Sequence, residues 1–172
     1  MDEFEAIEDR FSAFAKLLIE DAAERFKTLR GCSFFDPIPD EWLVRIADMA
    51  NIRIFHSDVC LTSQDEETKA FYVILFGTAE AYCNGKLVGT IETGECIGEG
   101  IFFSDGNIAS SATVIADYKI IAAEFSREAI DRLRADADAM ACIDKALLRA
   151  LFNKLQGANR KIERLLLTKS VD

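Results

Sequence analysis

The hydrophobic period of this chain changes twice. From residue 3 to residue 30 apolar side chains return every three or four positions: Phe4, Ile7, Phe11, Phe14, Leu18, Ala22, Phe26 and Leu29 share one stripe. Glu8, Asp9, Lys16, Glu20, Glu24 and Lys27 fall opposite, and no Pro or Gly interrupts. That is the pattern of an amphipathic helix. Between residues 51 and 125 the runs become short and β-type: Ile52–Phe55, Val59–Leu61, Phe71–Phe76, Thr78–Cys83, Lys86–Ile91, Ala112–Ala116 and Lys119–Phe125. From Ser126 onward the helical period returns. Seven or eight short strands at close spacing, separated by turn residues, imply a sandwich or barrel.

Local chemistry sharpens this outline. Thr78–Cys83 alternates, with Ala79, Ala81 and Cys83 on one face and Thr78, Glu80 and Tyr82 on the other. Asn84-Gly85 then predicts a two-residue hairpin, because both turn positions need positive φ. Residues 31–38 (GCSFFDPI) read as a connector, and a short helix follows Pro39, with Trp42, Ile46 and Met49 on one face. Pro39 and the acidic Asp40 and Glu41 suit a helix start. Ser126 is placed to cap a helix running through Leu133.

Residues 138–168 predict a second C-terminal helix, roughly 45 Å long at about 1.5 Å per residue. Ile143, Leu147, Leu151, Leu155, Ala158, Ile162 and Leu165 form its stripe, which is narrow like a coiled-coil seam from Leu155 to Leu165. Gly157 weakens it by about 1 kcal/mol. Dimerisation through this helix is the expectation; the alternative is that it folds back on the N-terminal helix. The phenylalanine-rich N-terminal helix is expected to pack on its own domain, with a docking surface as the alternative.

A length of 172 residues suits one domain with a helical appendage. With 50% hydrophobic residues the chain can bury a real core, which excludes disorder. Acidic residues number 30 against 20 basic ones, a net charge of −10. Phosphate neutralisation needs clustered Lys and Arg, so neither nucleic acid nor an anionic membrane is an expected partner. The longest apolar run, Ala70–Phe76, is too short to span a bilayer. The acidic start MDEFEAIEDR is no signal peptide, and a cytoplasmic location is expected.

Cys32, Cys60, Cys83, Cys96 and Cys142 are odd in number and widely spaced, and read as reduced, mostly buried thiols. His56 is the only histidine, so no multi-histidine metal site and no imidazole acid/base pair is available. Beside Ser57 and Asp58 it reads as a surface turn residue. No catalytic or metal-ligating set is assigned, and no cofactor is expected.

The chemistry concentrates in residues 94–113, GECIGEGIFFSDGNIASSAT, where alternation breaks and glycines cluster at 94, 98, 100 and 106. Glycine permits positive φ and close backbone approach to a ligand. Gly98 to Phe103 can form one helical turn with N–H groups aimed at an anion. Glu99 cannot bind that anion, but it can accept from a sugar hydroxyl. Ser110, Ser111 and Thr113 add hydroxyls.

The order of elements (lead helix, β-barrel, late Gly-Glu loop, long C-terminal helix) resembles the cyclic nucleotide-binding domain in its bacterial regulatory, catabolite activator protein-type form. The resemblance covers about residues 29–165. LRGCSFFDPIPDEW resembles the family's entry segment. FYVILFGTAEAYCNGKLVGTIETGECIGEG resembles its central run, with matched glycines at Gly77, Gly85, Gly89, Gly94 and Gly98. SSATVIADYKIIAAEFSREAIDRL resembles the last two strands and first C-terminal helix.

The implied fold is mainly β, a double-stranded β-helix (jelly-roll) barrel with flanking helices. The implied division is 1–30 N-terminal helix, 31–135 cyclic nucleotide-binding-like barrel, and 136–172 C-terminal helix. The resemblance also implies a phosphate-binding cassette. Gly98 would offer its N–H near the ribose-phosphate and Glu99 would take the ribose 2′-hydroxyl. Gly100 would occupy the next position, where the family has Leu or Ile. Ser111 and Ala112 would offer a hydroxyl and a backbone N–H to the cyclic phosphate.

One departure stands out: the family's arginine falls on Ser110, and its preceding proline on Ala109. A charge-assisted hydrogen bond is worth roughly 1.5–3 kcal/mol, so its loss costs on the order of 10- to 100-fold in affinity. Arg53, Lys86 and Lys119 are the candidate replacement charges. Asp58 stands at a family glycine, and Asp tolerates the left-handed region.

The expected function is a cyclic nucleotide-binding-like sensor module without its own output domain, binding a cyclic nucleotide or related small anion weakly or in altered form. The alternative is a non-binding dimeric scaffold for an unidentified partner protein. Cupin-type metal catalysis fails for want of histidines. A DNA-binding role is not expected, because the sequence given ends at Asp172, just after the long helix. A haem or redox sensor lacks an axial pair or cysteine cluster.

Overall fold

The computed structural model describes residues 3–103 and 108–169, with side chains from Ile7 to Phe103 and from Ile108 to Leu167. Gly106 of the glycine-rich segment and the Phe4 side chain lie outside the described residues. Helices α1 (Glu3–Glu20), α2 (Ala22–Arg30) and α3 (Asp40–Met49) precede eight strands, and α4 (Arg127–Arg134) and α5 (Ala137–Lys169) follow them. The strands are β1 (Asn51–Phe55), β2 (Cys60–Thr62), β3 (Ala70–Phe76), β4 (Ala79–Cys83), β5 (Lys86–Ile91), β6 (Cys96–Ile97), β7 (Thr113–Ala116) and β8 (Ile120–Ser126). They pair antiparallel into two four-stranded sheets, β1-β8-β3-β6 and β2-β7-β4-β5, which face each other as a jelly-roll barrel.

The unbroken apolar run of β3 has a direct cause: the strand is covered on both faces. Phe71, Val73 and Leu75 point to the helices, while Ala70, Tyr72 and Ile74 point into the barrel. β8 divides in the same way, with Ile121, Ala123 and Phe125 outward and Ile120 and Ala122 inward. Two cores result. The larger lies between the first sheet and the helices, and each large side chain fully buried there contributes about 1.5–3 kcal/mol.

The predicted hairpin forms, with Asn84 at φ 50° and Gly85 at φ 72°. Asp58 takes φ 64°, the left-handed geometry expected of it. Ser126 caps α4 by accepting from the Ala129 N–H at 3.3 Å. β6 was not among the predicted segments; two residues are too few to show a period.

The single N-terminal helix of residues 3–30 is two helices. Asp21 leaves the helical region at φ −113°, ψ 108°, and its carboxylate accepts from Ala23 and Glu24 N–H groups as the cap of α2. Arg25 then donates to the Leu18, Ile19 and Ala47 carbonyls, tying the ends of α1 and α3 together. α1 does pack on its own domain. Phe11, Ala15 and Leu18 are buried, and Phe11 meets Phe76 edge-on at 5.6 Å. Glu8 accepts from Tyr118 and pairs with Lys119.

The α5 stripe does not serve one surface. Ile143 and Leu147 are buried in the main core, and Leu151, Ala158 and Leu165 face a cleft beside the barrel. Leu155 and Ile162 are exposed, and share their face with exposed Leu148, Phe152 and Leu166. The thiols also differ from expectation. All five are free, but Cys32 and Cys96 are the buried pair; Cys83 and Cys142 are half-buried, and Cys60 is exposed at the start of an edge strand. His56 is exposed in its turn.

Candidate functional site

The site begins where β6 ends. Gly98 takes φ 80°, and a Cβ there would run into the Ala70 carbonyl oxygen, so only glycine lets the chain leave β6 this close to β3. One 3-10 turn, Glu99–Phe103, follows. It is anchored by buried Ile101, whose N–H donates to Gly98 O at 3.2 Å, and by Phe102, edge-on to Phe71 at 5.1 Å. A Cβ on Gly100 would sit 3.2 Å from Ile108 Cδ1, so the returning chain packs directly on this turn.

That returning segment, Ile108–Ala112, is stitched to the loop before β3. Ile108 O accepts from Thr68 N–H at 2.8 Å, Ser110 N–H donates to Glu66 O at 2.8 Å, and Ser110 O accepts from Asp65 N–H at 2.9 Å. The Ser110 hydroxyl is bonded to the Thr68 hydroxyl at 2.8 Å, and Ser110 is only 9% exposed. Ser110 is therefore a short side chain turned inward and bonded to Thr68.

A cleft of about 1380 Å³ opens between this segment, the β4–β5 hairpin and α5. Gly98, Glu99, Gly100, Ser110, Ser111 and Ala112 all line it. Its walls are mostly apolar, with Leu87, Val88, Ile97, Val114, Leu151 and Leu165 prominent.

Lys154 reaches down from α5. Its Nζ donates to Glu99 Oε1 and to Cys96 O, both at 2.8 Å. Burial opposes the charge on this ammonium, but neighbouring Cys96, Glu99 and Glu95 outweigh it, and the net pKa is raised. Burial also pushes the Cys96 thiol up to about 12.

The charged residues lining the cleft are Glu95 and Glu99 on the barrel side and Lys154, Lys161 and Arg164 on α5. The replacement charges expected from the sequence are elsewhere. Arg53 pairs with Glu124, Lys119 pairs with Glu8, and Lys86 opens β5 opposite Cys83; none lines the cleft. Sequence reasoning missed Thr68, Lys154, Lys161 and Arg164. One signal was available: Lys154 and Lys161 stand seven residues apart, beside Leu151, Ala158 and Leu165, and so share a helix face. Among the described residues no cluster of three or more His, Cys, Asp or Glu is placed to hold a metal, and no helix is long and apolar enough to cross a membrane.

A jelly-roll barrel with a late Gly-Glu turn under a long C-terminal helix defines a ligand-sensing regulatory module. The model of the cyclic nucleotide-binding domain matches residues 52–137, half of the chain, and the chain belongs to that family. No curated protein matches it.

Among solved structures it is similar to the regulatory subunit of a cAMP-independent protein kinase A from Trypanosoma brucei, at 18% identity and TM-score 0.65, covering 86% of this chain and 50% of that one. A triply substituted form of that subunit, bound to cAMP in its A site, matches at 18% identity and TM-score 0.62, covering 86% and 54%. A c-di-GMP-responsive global regulator from Xanthomonas campestris matches at 17% identity and TM-score 0.64, covering 74% and 65%. This chain thus spans about half to two-thirds of those proteins. At such identities the likeness shows the fold alone.

Proposed function

We propose that this chain is a non-catalytic, cytoplasmic sensor module whose cleft binds a cyclic nucleotide or related small anion more weakly than a cassette carrying the arginine. The observation that supports it best is Glu99. A carboxylate on the first turn after Gly98 is aimed at the cleft and keeps its second oxygen for a hydroxyl. Binding would act by biasing an equilibrium between two placements of α5, which forms the opposite wall.

The weakened affinity follows from Ser110, which offers no charge. The Trypanosoma protein makes a useful parallel. The subunit is described as cAMP-independent, and one of the three substitutions in its cAMP-bound form introduces an arginine. Calorimetric titration with cyclic AMP and cyclic GMP tests the reading. Submillimolar binding that disappears in Glu99→Ala supports it. Silence with both nucleotides overturns cyclic-nucleotide binding and supports the scaffold or a different ligand.

A second reading, a non-binding dimeric scaffold, is favoured by the Thr68–Ser110 bond, which ties the Ser110 hydroxyl to the protein itself. Dimerisation belongs to both readings. The exposed Leu148, Phe152, Leu155, Ile162 and Leu166 follow four-three spacing, with Asn159 in the remaining seam position. A single polar residue in such a seam fixes register and oligomer state. A second copy of α5 is the proposed occupant of this face, and a partner protein would receive the signal.

A further inference from the structure

The charge missing from the loop has a counterpart across the cleft. All three cations that line the cleft among the described residues come from α5, and two carboxylates, Glu95 and Glu99, line it with them. The lining is therefore net positive in a chain whose net charge is −10. Lys161 Nζ is tied to Val88 O at 2.6 Å on the exposed rim of β5. Lys154 sits deeper, with its side chain 36% exposed and its partner Glu99 19% exposed. Glu99 is the more buried partner, and the Lys154 charge stays open enough to be screened by salt.

An ammonium has three N–H donors. Lys154 uses two, on Glu99 Oε1 and Cys96 O. Glu99, in turn, has one oxygen engaged and one left. The pair thus presents one charged donor and one charged acceptor side by side, a fork for an anionic group next to a hydroxyl. The apolar walls suit the ring system of such a ligand.

We propose that Lys154 of α5 supplies the positive charge against the ligand's anionic group, so that the cleft selects a small monoanion carrying a neighbouring hydroxyl and grips it between helix and loop. This rests on the ligand-binding reading above and adds to it the origin of the counter-charge. It also makes the grip depend on α5 lying over the barrel, which couples occupancy to the helix directly.

The test compares cyclic AMP with adenosine, which keeps base and ribose but lacks the phosphate. Both are titrated into the wild type, Lys154→Gln and Lys154→Arg, with folding of each variant checked by thermal unfolding. Lys154→Gln should lose about 10- to 100-fold for cyclic AMP and little for adenosine, and Lys154→Arg should stay within a few-fold of wild type. Equal loss for both probes would show that Lys154 only latches the helix, and would overturn the proposal. Unchanged cyclic AMP binding in Lys154→Gln overturns it while leaving the ligand-binding reading intact. A wild type silent to cyclic AMP overturns this proposal, and the earlier reading falls with it only if cyclic GMP is silent too. If Lys154→Gln does not fold, the wild type decides. A tenfold preference for cyclic AMP over adenosine that salt erodes supports the proposal, and no preference overturns it.

Discussion

The hydroxyls of Thr68 and Ser110 lie 2.8 Å apart in the chain interior, across 42 residues of sequence. One hydroxyl donates and the other accepts, where water has little access. Thr68→Val should leave the Ser110 hydroxyl unpartnered and cost about 1–3 kcal/mol in urea unfolding. The double variant Thr68→Val, Ser110→Ala removes both polar groups and should cost less than the sum of the two single changes. Strict additivity would mean that the bond carries no coupling.

Two glycines near the cleft should respond in opposite directions. Gly98→Ala places a methyl group against the Ala70 carbonyl at φ 80° and should lower stability by about 1–3 kcal/mol. Gly157 lies within α5 with nothing inside 4 Å of an added Cβ. Gly157→Ala should raise helix stability by about 1 kcal/mol. Thermal melts of the two variants, side by side, read the sign.

Glu8 anchors α1 through the side chains of Lys119 and Tyr118, and these bonds hold its pKa below the usual 4.5. A depressed carboxylate contributes stability that is present above its ordinary value and is lost as pH falls through the folded one. The stability difference between wild type and Glu8→Gln should therefore be constant from neutral pH down to about 5 and shrink toward zero in more acid solution. Urea midpoints measured across that range check it. A difference that grows on acidification would contradict the assignment.

The thiols should react in order of exposure and acidity. Burial raises Cys32 to about 11 and Cys96 to about 12, whereas Cys60 is exposed. The thiolate is the nucleophile, so timed iodoacetamide labelling of native protein at pH 7.5 should modify Cys60 first and spare Cys32 and Cys96. Peptide mass mapping gives the order.

The outer face of α5 should govern association. Leu155→Glu with Ile162→Glu introduces charge into the proposed seam at positions that are exposed in the single chain, so the barrel should keep its stability. Light scattering should show a dimer for wild type and a monomer for the pair variant. A wild-type monomer at tens of micromolar would remove the seam from the account.

Much of the architecture was legible because period and punctuation are local. Seven of the strands, the Asn84-Gly85 hairpin and the Ser126 cap each follow from a few adjacent residues. Two failures had visible causes. The Asp21 break carried a sequence signal, an Asp followed by Glu24 three residues later, the pattern of a helix start, but the continuous apolar stripe masked it. β6 is two residues long and exists because Tyr72 and Val73 offer it a ladder.

The six candidate residues came from the family resemblance and the glycine-rich segment, and the fold gathers all six along one cleft. Their electrostatic setting was not readable. Spacing along α5 says that Lys154 and Lys161 share a face, but only the path of the helix across the barrel sets Lys154 beside Glu99. Likewise the sequence shows a serine at position 110, but the closing of Ile108–Ala112 onto the Glu66–Thr68 loop turns that serine inward. By itself the sequence determined which residues alternate, cap and turn, since those preferences act over one or two turns of chain. The tertiary structure decided which charges meet, because residues 55 positions apart come into contact only when barrel and helix are packed.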